Sequence, residues 1–304
     1  MSEKILRRTT FSGRLLRYGE EEEVSQNYVL LKGSLYMVLD IVIVLVVSSL
    51  LFVWFAGTGI NPVERPMPCG DYSIQQPFKE NTIGLKQLLL VTLFSPLIVI
   101  GVVEGILHKK SEGSNRLAKF FAATTITYLK YLLIYAGCTF MMEFLKCYFG
   151  RLRPHFVSVC KPDWTKVDCT DGSKFIMPED LVCTNPIQRK IRIARTSFPS
   201  GHTAAAFHVF LFLYIYLRRM AQNTKIAEII KIRNILLPVF GFWTIVCAIT
   251  RVTDNWHFPT DVLGGVILAA SFIIPAFYNS WKSAEIIYKT RRLAIPIENL
   301  KKKE

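Results

Sequence analysis

Residues 87–107 read QLLLVTLFSPLIVIGVVEGIL, and Glu104 is the one ionisable side chain among them. About 20 apolar residues in a helix cross the hydrocarbon core of a bilayer. A helix also satisfies its backbone groups where there is no water to do so. The stretch therefore predicts a transmembrane helix. Five more apolar runs accompany it, at about 35–56, 120–145, 203–217, 235–250 and 262–281. The whole chain agrees: 51% of its 304 residues are hydrophobic, 20% are charged and the mean hydropathy is +0.31. A typical soluble domain carries about a quarter charged residues. A simple soluble enzyme, a disordered chain and a small disulfide-stapled domain are excluded. The expected fold is an all-α integral membrane protein of six transmembrane helices.

Loop charge sets the expected orientation, because Lys and Arg concentrate in cytosolic loops. With six spans both termini share a side. That side carries 22 of the 37 Lys and Arg, the other carries 14, and Lys130 lies inside the third span. The termini are thus expected in the cytosol and the long 146–202 loop in the lumen or cell exterior. The net charge of +14 is read as cytosolic Lys and Arg; there is no nucleic-acid motif, and nucleic acid is not an expected partner. The first apolar run starts too late and runs too long for a cleaved signal peptide. The chain divides into a cytosolic tail (1–34), a membrane unit (35–281) and a second cytosolic tail (282–304), whose basic residues suit anionic lipid.

Of seven cysteines, Cys138 and Cys247 fall inside spans as small apolar fillers. Cys147 follows the third span. Cys69, Cys160, Cys169 and Cys183 fall in outer loops, where an oxidising compartment permits a disulfide. Sequence alone does not fix their pairing. No His/Cys set has zinc-finger spacing, so no metal site is expected.

Three polar, cationic segments border the spans: 146–154 (KCYFGRLRP), 195–202 (RTSFPSGH) and 250–261 (TRVTDNWHFPTD). Span parity puts all three on the outer side, where they can converge at one end of the bundle. Lys146, Arg153 and Arg251 would repel one another beside a low-dielectric region unless an anion joined them. Arg matches phosphate oxygens with two parallel donors. Ser200 and Gly201 open a helix, where free N–H groups and the helix dipole favour an anion. The set reads as a phosphate cradle. Asp261 follows His257 by four residues, within reach of its ring if a helix begins near Pro259. A carboxylate there would fix the tautomer and prepare His257 as a nucleophile toward phosphorus. His202 is then the acid that protonates the leaving alkoxide and later activates water. Lys and Arg do the neutralising, so no metal or other cofactor is expected.

The pattern Lys-x6-Arg-Pro, Pro-Ser-Gly-His and Arg-x5-His-x3-Asp resembles the lipid phosphate phosphatases of the type 2 phosphatidic acid phosphatase superfamily. The resemblance runs over about 35–281. The 150–156 stretch (GRLRPHF) and the 160–164 segment (CKPDW) are similar to the animal lipid-acting branch. It implies a magnesium-independent phosphatase of phosphatidate, lysophosphatidate, sphingosine 1-phosphate and ceramide 1-phosphate. Such an enzyme works at the outer face of the plasma membrane or in the lumen of internal membranes such as the ER and Golgi. The family's phosphate-binding roles map to Lys146, Arg153, Ser200, Gly201 and Arg251, its acid to His202, its nucleophile to His257 and its orienting carboxylate to Asp261. The chain departs from the family in having Thr250 where the third motif usually opens with Ser, and in lacking any Asn-x-Ser/Thr sequon.

Each motif alone also fits a plainer role. Lys146, Arg151 and Arg153 suit a head-group-binding cluster, 199–202 a capped helix start, and His257 with Asp261 a structural pair. Glu143 is three residues before Lys146, placed for an ion pair. His155 follows the first motif and would line the site, whereas His208, about two turns below His202, is expected to pack. Asp40, Glu104 and Lys130 are further ionisable groups in or near spans. Trp54, Trp243, Trp256 and Trp281 suit membrane interfaces, and Trp256 also stands beside His257. Alternative classes are an intramembrane serine protease using Ser200 and His257, a non-catalytic lipid-phosphate binder, and a relative acting on a sugar phosphate or polyprenyl diphosphate. The expected partners are lipid phosphates and membrane lipids, and the chain is compatible with a homo-oligomer.

Overall fold

The computed structural model describes residues 42, 46, 61–109 and 116–293. The 1–34 tail and, apart from Val42 and Val46, the first predicted span lie outside them, as do Asp40 and Trp54.

Among the described residues five helices are long and apolar enough to cross a membrane. They are α1 (Leu85–Lys109), α2 (Arg116–Phe149), α5 (Gly201–Thr224), α6 (Ala227–Thr253) and α7 (Pro259–Leu293). Two short helices, α3 (Phe156–Cys160) and α4 (Gln188–Ala194), lie in the connection between α2 and α5. The helices outrun the apolar runs that announced them. α6 begins at Ala227, not near 235, because a polar turn carrying Glu228, Lys231 and Arg233 is helical too. α2 continues to Phe149, so Lys146 sits in its last turn and not beyond it. α7 starts with Pro259, whose missing N–H is harmless at a first helical position. The same helix continues to Leu293, into the predicted C-terminal tail.

α5 is the central span, and half of its apolar window is buried within the protein. It packs on α6 and α7 and also on α2. Val209, Phe212, Leu213 and Leu217 of α5 form the main core with Val99, Ile100 and Val103 of α1, Tyr131 of α2 and Ile273 of α7. Contact in lipid depends on close packing and interhelical hydrogen bonds, since the hydrophobic effect does not distinguish a helix from acyl chains. α1 illustrates this at Pro96. Proline offers no N–H to the Thr92 carbonyl four residues earlier, and the helix widens into a π turn over Leu90–Phe94. The Tyr131 hydroxyl of α2 donates to that Thr92 carbonyl at 2.6 Å, and the Tyr128 hydroxyl donates to Leu93 O at 2.9 Å. The kink and its remedy thus pin α1 to α2.

Glu104 is buried in α1 and accepts from the Tyr216 hydroxyl of α5 at 3.3 Å. Lys130 is exposed on α2.

The connections at one end of the bundle form a small cap. Here the all-α expectation gives way to a two-residue antiparallel pair, β1 (Met67–Pro68) with β2 (Phe175–Ile176), in register Met67↔Ile176. Disulfides join Cys69 to Cys169 and Cys160 to Cys183, with Cα atoms 5.4 and 4.7 Å apart. They close stretches of 100 and 23 residues. In the chain-entropy account such links contribute about 5 and about 3 kcal/mol. They hold Met67, Ile74, Leu152, Phe156, Val159 and Ala194 as a second core over the helix ends.

Candidate active site

The C-terminal ends of α2 and α6 and the N-terminal ends of α5 and α7 meet beneath this cap. Ser200 caps α5: its Oγ accepts from the Thr203 N–H at 3.4 Å. Gly201 and His202 are the first residues of the helix, where N–H groups lack partners in the preceding turn. Against this end stands the last turn of α2. Lys146 Nζ lies 2.6 Å from Glu143 Oε1, the pair expected from their spacing. A Cβ on Gly201 would sit 3.2 Å from Lys146 Nζ and 2.5 Å from Met142 Sδ. A side chain here would push the ends of these two flexible side chains aside.

After α2 the chain turns through Gly150 at φ +55°, where any side chain would overlap the Val63 carbonyl. This delivers Arg153, whose backbone N–H donates to Ala194 O at 2.8 Å. Its Nη2 donates to Thr196 O at 3.2 Å, and its guanidinium lies 4.9 Å from the centre of the Trp256 ring. Burial lowers the Arg153 pKa to about 10, against the opposing pull of Asp261 and Glu143. It stays charged at neutral pH.

Arg251, 1% exposed, is held by its two Nη atoms. One donates to Asn81 Oδ1 at 2.6 Å; the other meets Asp254 Oδ2 at 3.2 Å and Ile83 O at 3.5 Å. Asp254 accepts in turn from the Thr82 N–H and hydroxyl at 2.8 and 2.9 Å. Thus the segment leading into α1 is docked onto the site. Trp256 Nε1 reinforces it by donating to Lys79 O at 2.9 Å. Asn81 and Thr82 were not singled out from sequence, since a short Asn-Thr pair far from the motifs carries no pattern; Asp254 stood inside the third segment, where nothing local marked it as the partner of Arg251.

His257 lies just before α7 and is 4% exposed. Its Nδ1 is 2.6 Å from the Ser197 carbonyl and 3.7 Å from Asp261 Oδ2. The expected carboxylate–imidazole contact is therefore longer than a hydrogen bond, and the hydrogen bond goes to a backbone carbonyl. A carbonyl only accepts, so it fixes the proton on Nδ1 and leaves Nε2 with a free lone pair. Burial, and then the nearby Arg153 charge, lower the His257 pKa and keep the ring neutral. Asp261, wholly buried, accepts from Arg151 Nη1 and Ser197 Oγ, both at 2.6 Å, and from the Phe258 N–H at 2.9 Å. Arg151 and Ser197 stood inside the quoted segments, but their partner is more than 60 residues away and no local spacing reveals it.

Lys146, Arg153, Gly201, His202, Arg251 and His257 all line one cavity of about 610 Å³. Ser200 and Asp261 lie behind its wall, each 0% exposed. The Ser200 Oγ is engaged with Thr203, which leaves the serine-protease alternative without a presented nucleophile. Buried atoms around the cradle that find no hydrogen-bond partner within the protein include Arg153 Nε, Arg251 Nε and His202 Nε2. The two arginine Nε atoms are donors, and native structures rarely leave such groups unmatched.

His155 braces the site. Its Nδ1 is 2.7 Å from Asn255 O, and its ring meets Phe78 and Trp256 edge-on. Burial, with Arg153 beside it, lowers its pKa to about 4, although the Asn255 bond opposes this. An unfolded chain takes up that proton near pH 6.5. Between pH 6.5 and 4 the unfolded state holds more protons, so stability rises with pH through that window and is level above it. The thermal midpoint of the solubilised protein is expected to fall on acidification from 6.5 to 4. His155→Phe should flatten this fall, by at most about 3 kcal/mol; an unchanged slope refutes the assignment.

Residues 127–285 match the PAP2 superfamily. The chain belongs to that superfamily. It is 32% identical to phospholipid phosphatase 1 of Rattus norvegicus over 248 residues, 77% of this chain and 81% of that one. It is 30% identical to phospholipid phosphatase 2 of Homo sapiens over 247 residues, 77% and 79% of the two chains. No solved structure gives a significant match. The PAP2 match runs from α2 to α7 and spans all three cationic segments, whereas the docked 79–84 segment lies ahead of it.

Proposed function

We propose that this PAP2 protein dephosphorylates lipid phosphate monoesters through a phosphohistidine on His257. The observation that carries the reading is the set of unmatched donors on Arg153 and Arg251 beside His202 and His257 in one cavity. A phosphate group matches them. Its substrates are phosphatidate, lysophosphatidate, sphingosine 1-phosphate and ceramide 1-phosphate.

In the first step His257 Nε2 attacks phosphorus as the P–O bond to the lipid alcohol breaks. Protonated His202 gives its proton to the departing alkoxide. In the second, His202 takes a proton from water, whose oxygen attacks the phosphohistidine. The P–N bond breaks and inorganic phosphate leaves. Lys146, Arg153, Arg251 and the N–H groups of Gly201 and His202 at the start of α5 hold the phosphoryl oxygens and stabilise charge that develops in transfer; Ser200, whose own N–H donates to Asp261 O at 2.9 Å, serves that end as its cap. Asp261 and the Ser197 carbonyl orient the nucleophile.

The reading includes six spans with the cap on the outer side of the plasma membrane or in the lumen. Two disulfides in the cap suit an oxidising compartment. α1 starts at the site end, so α7 ends at the opposite one; a span over 35–56 would return the N-terminus to the side of the C-terminus. The 1–34 and 282–304 divisions belong to the same proposal.

The test is phosphate release from phosphatidate in mixed micelles with chelator and without magnesium. Turnover inhibited by vanadate is expected. Binding of phosphatidate without turnover would replace the enzyme by a binder. A second outcome concerns the cradle: Gly201→Ala should raise the vanadate inhibition constant about tenfold, equivalent to about 1.4 kcal/mol, since its methyl must displace Lys146 or Met142. An unchanged constant would remove Gly201 from the anion site.

A further inference from the structure

The cavity does not end at the cradle. It continues between α1, α2 and α5 along Leu85, Leu89 and Leu93 of α1 and Leu132 and Tyr135 of α2. On α5 its floor is Gly201, Ala204, Ala205 and His208. These positions are i, i+3, i+4 and i+7, one face of a helix. The alanines are short, which leaves room for the arm, and His208 lines it one turn further on. Seven residues of helix put His208 on the order of 10 Å beyond Gly201. Helical side chains lean toward the N-terminus, so its ring leans back toward the cradle.

His208 is 1% exposed, and neither Nδ1 nor Nε2 has a hydrogen-bond partner within the protein. The rings of Tyr131 and Tyr135 meet it edge-on at 5.5 and 5.2 Å between centroids. Their hydroxyls are directed elsewhere: that of Tyr131 donates to Thr92 O, and that of Tyr135 lies 3.3 Å from Thr92 Oγ1. The sequence pointed to His208 as packing, and packing accounts for its ring faces. It does not account for an unmatched donor and acceptor at the wall of a mostly apolar arm, whose Thr139 hydroxyl already donates to Tyr135 O at 2.8 Å. A phenylalanine would serve there without that cost.

We infer that His208 is a specificity-determining residue, binding an oxygen carried two or three carbons beyond the phosphate ester of a lipid whose phosphate lies in the cradle. The inference rests on the proposed function. The shared chemistry is a hydroxyl or ester carbonyl on the linker between phosphate and chain. A neutral imidazole offers one donor and one acceptor, so it suits either group, and it binds neither the phosphate nor the chain. Apolar contacts from α1 and α2 leave the chain itself unselected. The linker oxygen is then the feature this arm distinguishes.

The test uses the full chain in mixed micelles and three probes of equal chain length: 1-acyl lysophosphatidate, its 1-alkyl ether analogue and a plain alkyl phosphate. His208→Phe preserves an aromatic ring in the arm and removes both nitrogens. The readout is the ratio of kcat/KM between each glycerol probe and the alkyl phosphate. The wild type should favour the glycerol probes about tenfold, and His208→Phe should erase that preference through KM. Loss with the acyl probe alone assigns the carbonyl; loss with both assigns the hydroxyl. His208→Gln, which keeps a donor and an acceptor, should restore most of the ratio. A ratio unchanged in His208→Phe overturns the inference and leaves the phosphatase reading intact. If that variant does not fold, a wild type that fails to distinguish the three probes overturns it equally. A wild type that hydrolyses none of them defeats the proposed function itself.

Discussion

His257→Ala should lower phosphate release from phosphatidate by on the order of 10⁴-fold or more, as loss of a nucleophile does in other covalent mechanisms. What remains is the work of the cradle. Arg153, Arg251 and Lys146 would still bind phosphate, so KM should change far less than kcat. The covalent intermediate gives a second readout. In His202→Ala the water of the second step loses its base, and labelled phosphate should accumulate on the chain. That label should be acid-labile and absent when His257 is also replaced. Asp261→Asn provides a sharp contrast. In serine-protease triads, changing the aspartate costs about 10⁴-fold because the imidazole takes the wrong tautomer. Here Nδ1 is held by the Ser197 carbonyl at 2.6 Å while Asp261 stands at 3.7 Å, and no side-chain substitution removes a carbonyl. Asp261→Asn should therefore cost about 10²-fold, mainly through release of Arg151 and Ser197. Equal losses in Asp261→Asn and His257→Ala would show that the carboxylate, not the carbonyl, sets the proton. Appreciable turnover in His257→Ala would end the assignment of the nucleophile.

The parts legible in the sequence were those with local signals. Five apolar runs became five span-length helices because burial in lipid demands length and hydropathy in one continuous segment. Their ends were not legible: polar turns at Ala227 and around Lys146 are helical for backbone reasons that hydropathy does not see. The predicted cradle and catalytic residues meet around one cavity because short motifs at span ends are brought together by topology alone. The docking of 81–83 onto Arg251 and Asp254 depends on contacts across about 170 residues, and the disulfide pairing depends on the folded cap. Arg151 shows the limit most plainly. A basic residue at a membrane edge suits a lipid head group, and only the buried Asp261 reveals its partner.

Arg251→Lys should cost about 10²- to 10³-fold in kcat/KM, the range seen when one donor to a developing oxyanion is removed. The charge survives, so a purely electrostatic role would predict a small effect. Arg251, however, divides its donors. Its two Nη atoms hold Asn81, Ile83 and Asp254, and its Nε is left for the cavity. A lysine has one terminal nitrogen and cannot serve both sets. If it turns to Asp254, the phosphate loses a donor; if it turns to the phosphate, Asp254 keeps only Thr82 and the 81–83 segment loosens. The two outcomes are separable. The first lowers kcat with the thermal midpoint unchanged, and the second lowers the midpoint as well. Arg251→Ala should do both, since removing one member of a buried pair costs about 3–5 kcal/mol. Activity within tenfold of wild type in Arg251→Ala would exclude this guanidinium from the phosphate and leave it a clamp for α1.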